Sequence, residues 1–183
     1  MPSLLENYSR GLLKAPRMIF KNLNKDFYIS LIVPIFIFML DRISKIYIII
    51  LSNKSFDIEL FTSKFLNITL IWNEGIAFGL FSASHEYLYN LLTIIIISTA
   101  LIILIMSIKH SGVQKYFLLL VFGGALGNLY DRIFFKAVPD FIDLHIGSFH
   151  WFVFNIADIF ITFGVIMLIL WEILPLNKNY EKK

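Results

Sequence analysis

Four long apolar runs divide the chain, at residues 27–51, 87–108, 116–135 and 151–174. A helix of about 20 residues crosses the hydrocarbon core of a bilayer, because each residue adds about 1.5 Å along the helix axis. Each run reaches that length. The pattern therefore predicts an all-α membrane protein with four transmembrane helices.

The connection between the first two runs, residues 52–86, has a different pattern. SFDIELF and KFLNITLIW mix β-branched, aromatic and polar residues with partial alternation, which is typical of short strands. Gly75 and Gly79 then interrupt an aromatic-rich stretch and indicate a loop. We expect a small β-rich subdomain with a loop region here, between helices 1 and 2.

Polar segments flank the four runs. Residues 1–26 are basic and only weakly amphipathic, and we expect an interfacial or disordered extension. They do not fit a cleaved signal peptide, because they are too long and no small-residue cleavage site follows the next apolar run. Residues 27–174 are expected to form one membrane domain, and residues 175–183, which begin with a proline, form a polar tail.

Lysine and arginine are distributed unequally between the two sides of this frame. Four spans place both termini on one side, together with the lysines of the turn at 109–115. The connections on the opposite side hold only Lys54, Lys64 and Lys136. By the positive-inside rule the termini are cytoplasmic, and the β-rich subdomain and the 136–150 connection face outward.

Composition narrows the class of protein further. The chain is 58% hydrophobic and 16% charged, whereas soluble domains carry about 25% charged residues. A net charge of +3 is too small to suggest binding to nucleic acid. The absence of cysteine excludes disulfides, thiolate metal sites and cysteine nucleophiles. The four histidines show no metal-ligand spacing, and we interpret them as having no special role.

Polar residues are concentrated between Gly123 and Asp158, where the last two apolar runs meet. They are Asn128, Asp131, Arg132, Asp140, Asp143, Asn155 and Asp158. Polar groups are costly inside a bilayer, so such a concentration is by default functional. Helix rise places these groups at one level near the outer leaflet, and the charges of the first run lie in the same half of the membrane.

Two neighbouring aspartates suggest an aspartyl peptidase. When two carboxylates lie close together they share a proton, so that one can activate water while the other donates to a carbonyl. Asp158 lies inside an apolar run and is one candidate. Asp140 is the other, because Pro139 is expected to end helix three and turn that carboxylate back over the membrane surface. Spacing alone leaves Asp143 open as a rival, and Asp140 could equally be a solvated loop residue.

Other polar residues have supporting interpretations. Arg132 either binds substrate carbonyls or anchors a helix at the interface, and Asn128 lies one turn before it on the same face. Asn73 and Asn155 could hydrogen-bond a peptide backbone or simply join helices. Asp131 does not share a face with Arg132, and spacing alone leaves it open, like Asp143, as a member of the pair.

Two further patterns are structural. Asp41 and Lys45 are four residues apart, which predicts an ion pair that ties the first helix to the others. The glycines at 123, 124 and 127 are typical of close helix packing.

The residues alone also allow functions of other classes. A small proton-coupled transporter could use the aspartates as a relay, but the two halves of the chain show no repeat. A non-catalytic assembly scaffold is a third interpretation.

Five motifs, taken in order, resemble the bacterial lipoprotein signal peptidases (signal peptidase II). D-x-x-x-K lies at Asp41–Lys45 and N-x-G-x-A-F-G at Asn73–Gly79. G-G-A-L-G-N-x-x-D-R lies at Gly123–Arg132, V-x-D-F at Val138–Phe141 and F-N-x-A-D at Phe154–Asp158. Two departures are Pro139, where the family usually has a small aliphatic residue, and the longer basic extension.

The resemblance implies an activity and a set of site residues. Such enzymes are aspartyl peptidases that cut prolipoproteins just before a diacylglyceryl-modified cysteine. The catalytic pair would be Asp140 and Asp158, with Asn73, Gly75, Asn128, Arg132 and Asn155 around the substrate and Asp41, Lys45 and Asp131 in support. It also implies a monomer in the inner membrane with its site near the periplasmic face, in contact with lipid, and without metal or cofactor.

Overall fold

The computed structural model describes residues 25–55, 59–75 and 86–174, which form four helices and four strands. The helices are α1 (Lys25–Ser55), α2 (Glu86–Lys109), α3 (Val113–Phe135) and α4 (Ile156–Ile173). The strands are β1 (Glu59–Thr62), β2 (Leu66–Asn73), β3 (Val138–Ile146) and β4 (Phe149–Phe154). The predicted extension at 1–24, most of the predicted loop at 76–85 and the tail at 175–183 lie outside the described residues.

All four helices are long and apolar enough to cross a membrane, which confirms the predicted four-helix frame. Their surfaces carry large apolar side chains that no other part of the described chain covers, such as Ile102, Phe134 and Ile173. Contiguous apolar surface of this kind is unfavourable in water and favourable against lipid. The chain is therefore a multi-pass membrane protein.

The strands form one antiparallel sheet in the order β1-β2-β3-β4. The strands predicted between the first two helices are present as β1 and β2. The prediction was wrong in limiting the sheet to that connection, because β3 and β4 come from the connection between α3 and α4. Gly147, at a φ of 61°, forms the turn between them and favours a tight hairpin. Since β2 pairs with β3, the two connections lie at the same end of the helices.

The boundaries around the sheet correct two predictions. The fourth helix begins at Ile156 and not at Trp151, because residues 149–154 are paired with β3 and Asn155 caps the helix. Pro139 does not end the third helix, which stops at Phe135 followed by Lys136 in the left-handed conformation.

Pro139 is instead a buried residue of β3, opposite Trp72 of β2. Pairing of β3 with β4 begins only at Ile142. Pro139 thus lies where β3 has one neighbouring strand, a position that tolerates the missing backbone N–H.

Close packing of α3 against its neighbours depends on glycine, as predicted. A Cβ atom on Gly124 would lie 2.5 Å from the carbonyl oxygen of Ala157 in α4. A Cβ atom on Gly127 would lie 2.5 Å from Oδ2 of Asp41 in α1. Only glycine allows these approaches, and they bring the polar groups of α1, α3 and α4 within hydrogen-bonding distance of one another.

Candidate active site

The first turn of α4 holds Asp158 in a fixed orientation. Asn155 is the N-cap, and its Oδ1 accepts a hydrogen bond of 3.1 Å from the Asp158 backbone N–H. The Asp158 carboxylate accepts in return from the Asn155 backbone N–H at 3.1 Å, which completes a capping box. Asp41 of α1 accepts from the neighbouring N–H of Ala157, also at 3.1 Å. A carboxylate at a helix N-terminus is stabilised by the partial positive charge there.

Asp140 lies on β3 and is almost fully buried, at 4% exposure. Asn73, at the end of the adjacent strand β2, donates from Nδ2 to Asp140 Oδ2 at 2.9 Å. Asn155 donates from Nδ2 to Asp140 Oδ1 at 2.6 Å. Because Asn155 also caps the helix at Asp158, a single side chain contacts both predicted catalytic aspartates.

Asn128 of α3 completes the link between the two carboxylates and α1. Its Oδ1 accepts from Lys45 Nζ at 2.9 Å and from Asn155 Nδ2 at 3.1 Å. Both donors lie on the same side of the amide, so the other side must present its N–H₂ group. That group donates to Asp158 Oδ1 at 2.7 Å.

The environment of Asp140 raises the pKa of its carboxyl group above the ordinary value. Burial is the largest cause and raises its pKa to about 6, and the negative charge of Asp158 acts in the same direction. Hydrogen bonds from Asn73 and Asn155 partly oppose this by stabilising the carboxylate. A carboxyl group in this range can hold or release a proton near neutral pH.

Both aspartates line one cavity of about 390 Å³. Its other polar side chains are Asn73, Arg132 and Thr162, and its remaining walls are apolar: Leu92, Ile96, Phe152, Val153 and Ile161. Arg132 donates to the carbonyl oxygen of Gly75 at 3.4 Å and to that of Asn128 at 3.3 Å. Gly75 in turn donates its N–H to Asn73 Oδ1 at 3.0 Å. The sequence reasoning did not single out Thr162, since no motif includes it.

A second cavity, of about 670 Å³, also reaches Asp158. Its lining is almost wholly apolar and includes the aromatic residues Phe149, Trp151, Phe152 and Phe163. It runs between the β3–β4 hairpin and α4. An apolar ligand could therefore lie beside one of the two carboxylates.

Residues 33–174 match the model of the family described as signal peptidase (SPase) II. The chain belongs to the signal peptidase II family. It is 49% identical over 159 residues to the lipoprotein signal peptidase of Pelagibacter ubique (strain HTCC1062), covering 87% of this chain and 96% of that protein. The lipoprotein signal peptidase of Aquifex aeolicus (strain VF5) is 41% identical over 150 residues, covering 81% and 87%.

A solved structure of a bacterial membrane enzyme agrees with the fold. Its sequence is 31% identical to this chain, and the two superpose with a TM-score of 0.63 over 86% of this chain and 93% of the other. A second solved bacterial membrane enzyme is 27% identical, with a TM-score of 0.62 over 80% and 94%. Membership of this family identifies the chain as a peptidase.

A buried ionic cluster joins α1 to α3 in this family member. Lys45 Nζ lies 2.9 Å from Asp41 Oδ2, which confirms the predicted ion pair, and 2.7 Å from Asp131 Oδ2. Arg42 pairs with Asp131 and, at 2.8 Å, with Asp41. The four formal charges cancel.

Sequence reasoning missed the part that Arg42 plays. The signal was present in the charges of the apolar runs: Asp41 and Asp131 are two buried carboxylates, and Lys45 alone cannot neutralise both. Asp131 faces this cluster, whereas Arg132, the next residue, faces the cavity. The expectation that the two do not share a helix face is confirmed.

Asp143, which spacing also left open as a member of the pair, has different surroundings from Asp140. Its carboxylate lies 2.8 Å from Nδ1 of His150 and accepts weakly from Asn67 at 3.4 Å. It lies three residues after Asp140, and side chains at that separation point to opposite faces of a regular strand. Among the described residues, a group that could hold a metal ion lies here, formed by Asp143, His145 and His150.

Proposed function

We propose that this chain is an intramembrane aspartyl endopeptidase that removes signal peptides from diacylglyceryl-modified prolipoproteins. Cleavage falls just before the lipidated cysteine. The single observation that carries the proposal is that Asp140 and Asp158 line one cavity and are linked through Asn155. Family membership and the names of the relatives supply the substrate class.

The chemistry follows from one shared proton. The ionised aspartate removes a proton from a water molecule, whose oxygen attacks the scissile carbonyl carbon. The protonated aspartate donates to the carbonyl oxygen, which forms a neutral tetrahedral intermediate. The C–N bond then breaks as the aspartate that took the water proton donates it to the leaving nitrogen, while the other aspartate removes a proton from a hydroxyl of the intermediate to leave the carboxylic acid. Because the pair titrates as a unit, neither role is assigned to one residue.

The surrounding residues are suited to hold the peptide. Arg132 and Asn73 have polar groups in the cavity and would hydrogen-bond the substrate backbone on either side of the cleaved bond. Asn128 and Asn155 keep the two carboxylates oriented. Lys45 donates a hydrogen bond to Asn128 and is itself held by Asp41 and Asp131. None of these steps requires a metal or a cofactor.

The physical setting suits a lipid-modified substrate. Both the signal helix and the acyl chains reside in the bilayer, and the apolar cavity beside Asp158 offers a surface of the same kind. In our proposal the protein lies in the bacterial inner membrane as a monomer, with cytoplasmic termini and the sheet and active site near the periplasmic face. Its partners are the prolipoprotein and lipid, and not nucleic acid.

Cleavage of a diacylated prolipoprotein by the purified full-length protein tests this proposal. Asp140→Asn and Asp158→Asn should each lower kcat by at least about 10³-fold, because neither variant can share a proton between two carboxylates. Both variants should still insert and fold, with a moderately lower Tm, because asparagine keeps only one of the two oxygens that accept hydrogen bonds at each position. Asp26→Asn, at an exposed carboxylate near the start of α1, is the matched control and should cleave normally.

The result that would overturn the dyad is full activity in either variant. Retained biological function with no measurable cleavage by any form of the protein would instead favour an assembly scaffold.

A further inference from the structure

The β3–β4 hairpin brings three potential metal ligands to one place. Asp143 and His145 are two residues apart on β3, and His150 is the direct partner of His145 across the hairpin. Directly opposite residues such as His145 and His150 have Cβ atoms about 5 Å apart. The register of the hairpin shifts between Asp143 and His145, and the Asp143 carboxylate lies 2.8 Å from Nδ1 of His150. One potential ligand atom from each of the three side chains lies within 4.8 Å of the other two.

We infer that Asp143, His145 and His150 form a binding site for a divalent transition-metal ion of the zinc type, distinct from the Asp140–Asp158 pair, although His145 also lines the apolar cavity that reaches Asp158. Two imidazole nitrogens and one carboxylate oxygen are a donor set that Zn²⁺ accepts readily. Harder ions such as Mg²⁺ prefer oxygen ligands and would bind poorly. The absence of cysteine leaves this N₂O set free of thiolate competition.

The hydrogen bonding of the three side chains is incomplete in a way that a cation would correct. Nδ1 of His145 is buried and has no hydrogen-bond partner among the described residues. A buried polar atom without a partner costs about 1–3 kcal/mol, so such atoms call for an explanation. The His145 and His150 rings are stacked with centroids 4.9 Å apart, His150 contacts the Asp143 carboxylate, and a potential ligand atom of His145 lies within 4.8 Å of that carboxylate.

The distances are compatible with closure around an ion. A tetrahedral Zn²⁺ with ligand distances of about 2.0–2.2 Å holds its ligand atoms about 3.4 Å apart. Asp143 Oδ2 and His150 Nδ1 are already 2.8 Å apart, so a cation would replace the proton between them. The His150 side chain is 53% exposed and has room to rotate towards His145. Its exposure also leaves water access for a fourth ligand.

The site would cross-link the hairpin next to its Gly147 turn. Asp143 is hydrogen-bonded to His150 and Asn67, and Asp140 to Asn73 and Asn155, so the two aspartates have different partners. A bound cation would therefore stiffen the sheet without taking part in the proposed chemistry. This inference stands or falls independently of the proposed peptidase mechanism.

Zinc binding by the full-length protein in detergent provides the test. The protein is purified through a tag without histidine, stripped with a chelator, and titrated with Zn²⁺ in competition with a chromophoric chelator. We expect one equivalent to bind, with Mg²⁺ failing to compete. Asp143→Asn and His150→Gln should each weaken binding by at least about 10-fold. His110→Gln is the matched control, because His110 is exposed at the α2–α3 turn and should leave binding unchanged.

Thermal unfolding provides a second measurement. Zn²⁺ should raise the Tm of the wild type and of His110→Gln, but not that of His150→Gln. Without zinc, the Tm of His150→Gln should lie slightly below that of the wild type, because the substitution removes the stacking on His145 and the hydrogen bond of the imidazole to Asp143. The inference is overturned if the wild type binds no zinc, or if Asp143→Asn and His150→Gln bind it with wild-type affinity.

Discussion

At the scale of single residues, Asn155 has three roles at once. Its side chain caps α4, its backbone N–H donates to the Asp158 carboxylate, and its side-chain amide donates to Asp140. The start of a helix and the orientation of two acids thus depend on one amide side chain. Substitution here would disturb folding and chemistry together, so Asp140 is the better position for separating the two.

The buried Asp140 carboxyl should make stability depend on pH. Its pKa is raised from 3.8 to about 6, so the folded state holds this proton more tightly than the unfolded chain does. The resulting stabilisation is fully present below pH 3.8 and is lost as pH rises through about 6. Its size is at most about 3 kcal/mol.

We therefore expect the wild-type Tm to fall between about pH 4 and about pH 7 by more than the Tm of Asp140→Asn does. Asparagine cannot ionise and lacks this contribution. Thermal unfolding in detergent at several pH values measures the difference. Parallel curves for the two proteins would contradict the assignment.

At the scale of helices and strands, hydropathy located the helices well and the strands poorly. A run of about 20 apolar residues leaves few alternatives to a spanning helix. Residues 151–154 are as apolar as the α4 sequence that follows, so hydropathy could not show that the strand ends at Phe154. The decisive signal was the Asn155–Asp158 capping box, whose partners become visible only in the structure.

The candidate active site was likewise predicted only in part. The motifs identified which polar residues belong together, including Asp140 over Asp143. They could not show that Asn128 presents its N–H₂ group to Asp158, because that orientation is set by Lys45 and Asn155 from two other parts of the chain.

Close packing of α3 against α4 gives an element-scale prediction. Gly124→Ala places a methyl group 2.5 Å from the backbone oxygen of Ala157, and backbone cannot move aside cheaply. We expect a loss of about 1–3 kcal/mol and a matching loss of activity as the start of α4 shifts. Thermal unfolding and the cleavage assay measure the two effects.

Gly112→Ala is the comparison for that variant. A Cβ atom there meets nothing within 4 Å, although the φ of 70° adds backbone strain. It should destabilise through strain alone and leave the activity of the folded fraction unchanged. If Gly124→Ala behaves in the same way, helix contact is not what makes that glycine necessary.

The ionic cluster between α1 and α3 gives another prediction. Lys45→Met leaves Asp41 and Asp131 facing only Arg42, so one buried negative charge is uncompensated. Removing one partner from a buried pair costs about 3–5 kcal/mol. We expect a much lower yield of folded protein by size-exclusion chromatography in detergent. Lys109→Met, at an exposed lysine, should give a normal yield, and an equal yield from both would show that the cluster is dispensable.

At the scale of the whole molecule, the sheet identifies one end of the bundle. The connections between α1 and α2 and between α3 and α4 must lie on the same side of the membrane, because their strands pair. The chain has no cysteine, so single engineered thiols report position without background.

We expect Ser55→Cys and Ser148→Cys to react with a membrane-impermeant thiol reagent added from the periplasmic side. Ser111→Cys, in the turn between α2 and α3, should react only after the membrane is opened. All three positions are exposed, so access to the thiol is not limiting. The opposite pattern would reverse the proposed topology.

The ionic cluster also has a consequence for how the protein is made. The α1 segment leaves the ribosome carrying Arg42, Lys45 and Asp41, and therefore one excess positive charge near its middle. Each charged residue at the centre of a helix opposes insertion by about 2.5–3.5 kcal/mol. Asp131, which neutralises this charge, is synthesised 86 residues later than Lys45. The first helix is thus expected to wait at the translocon, or at the bilayer surface, until α3 emerges, so that the last partner translated completes the insertion of the first.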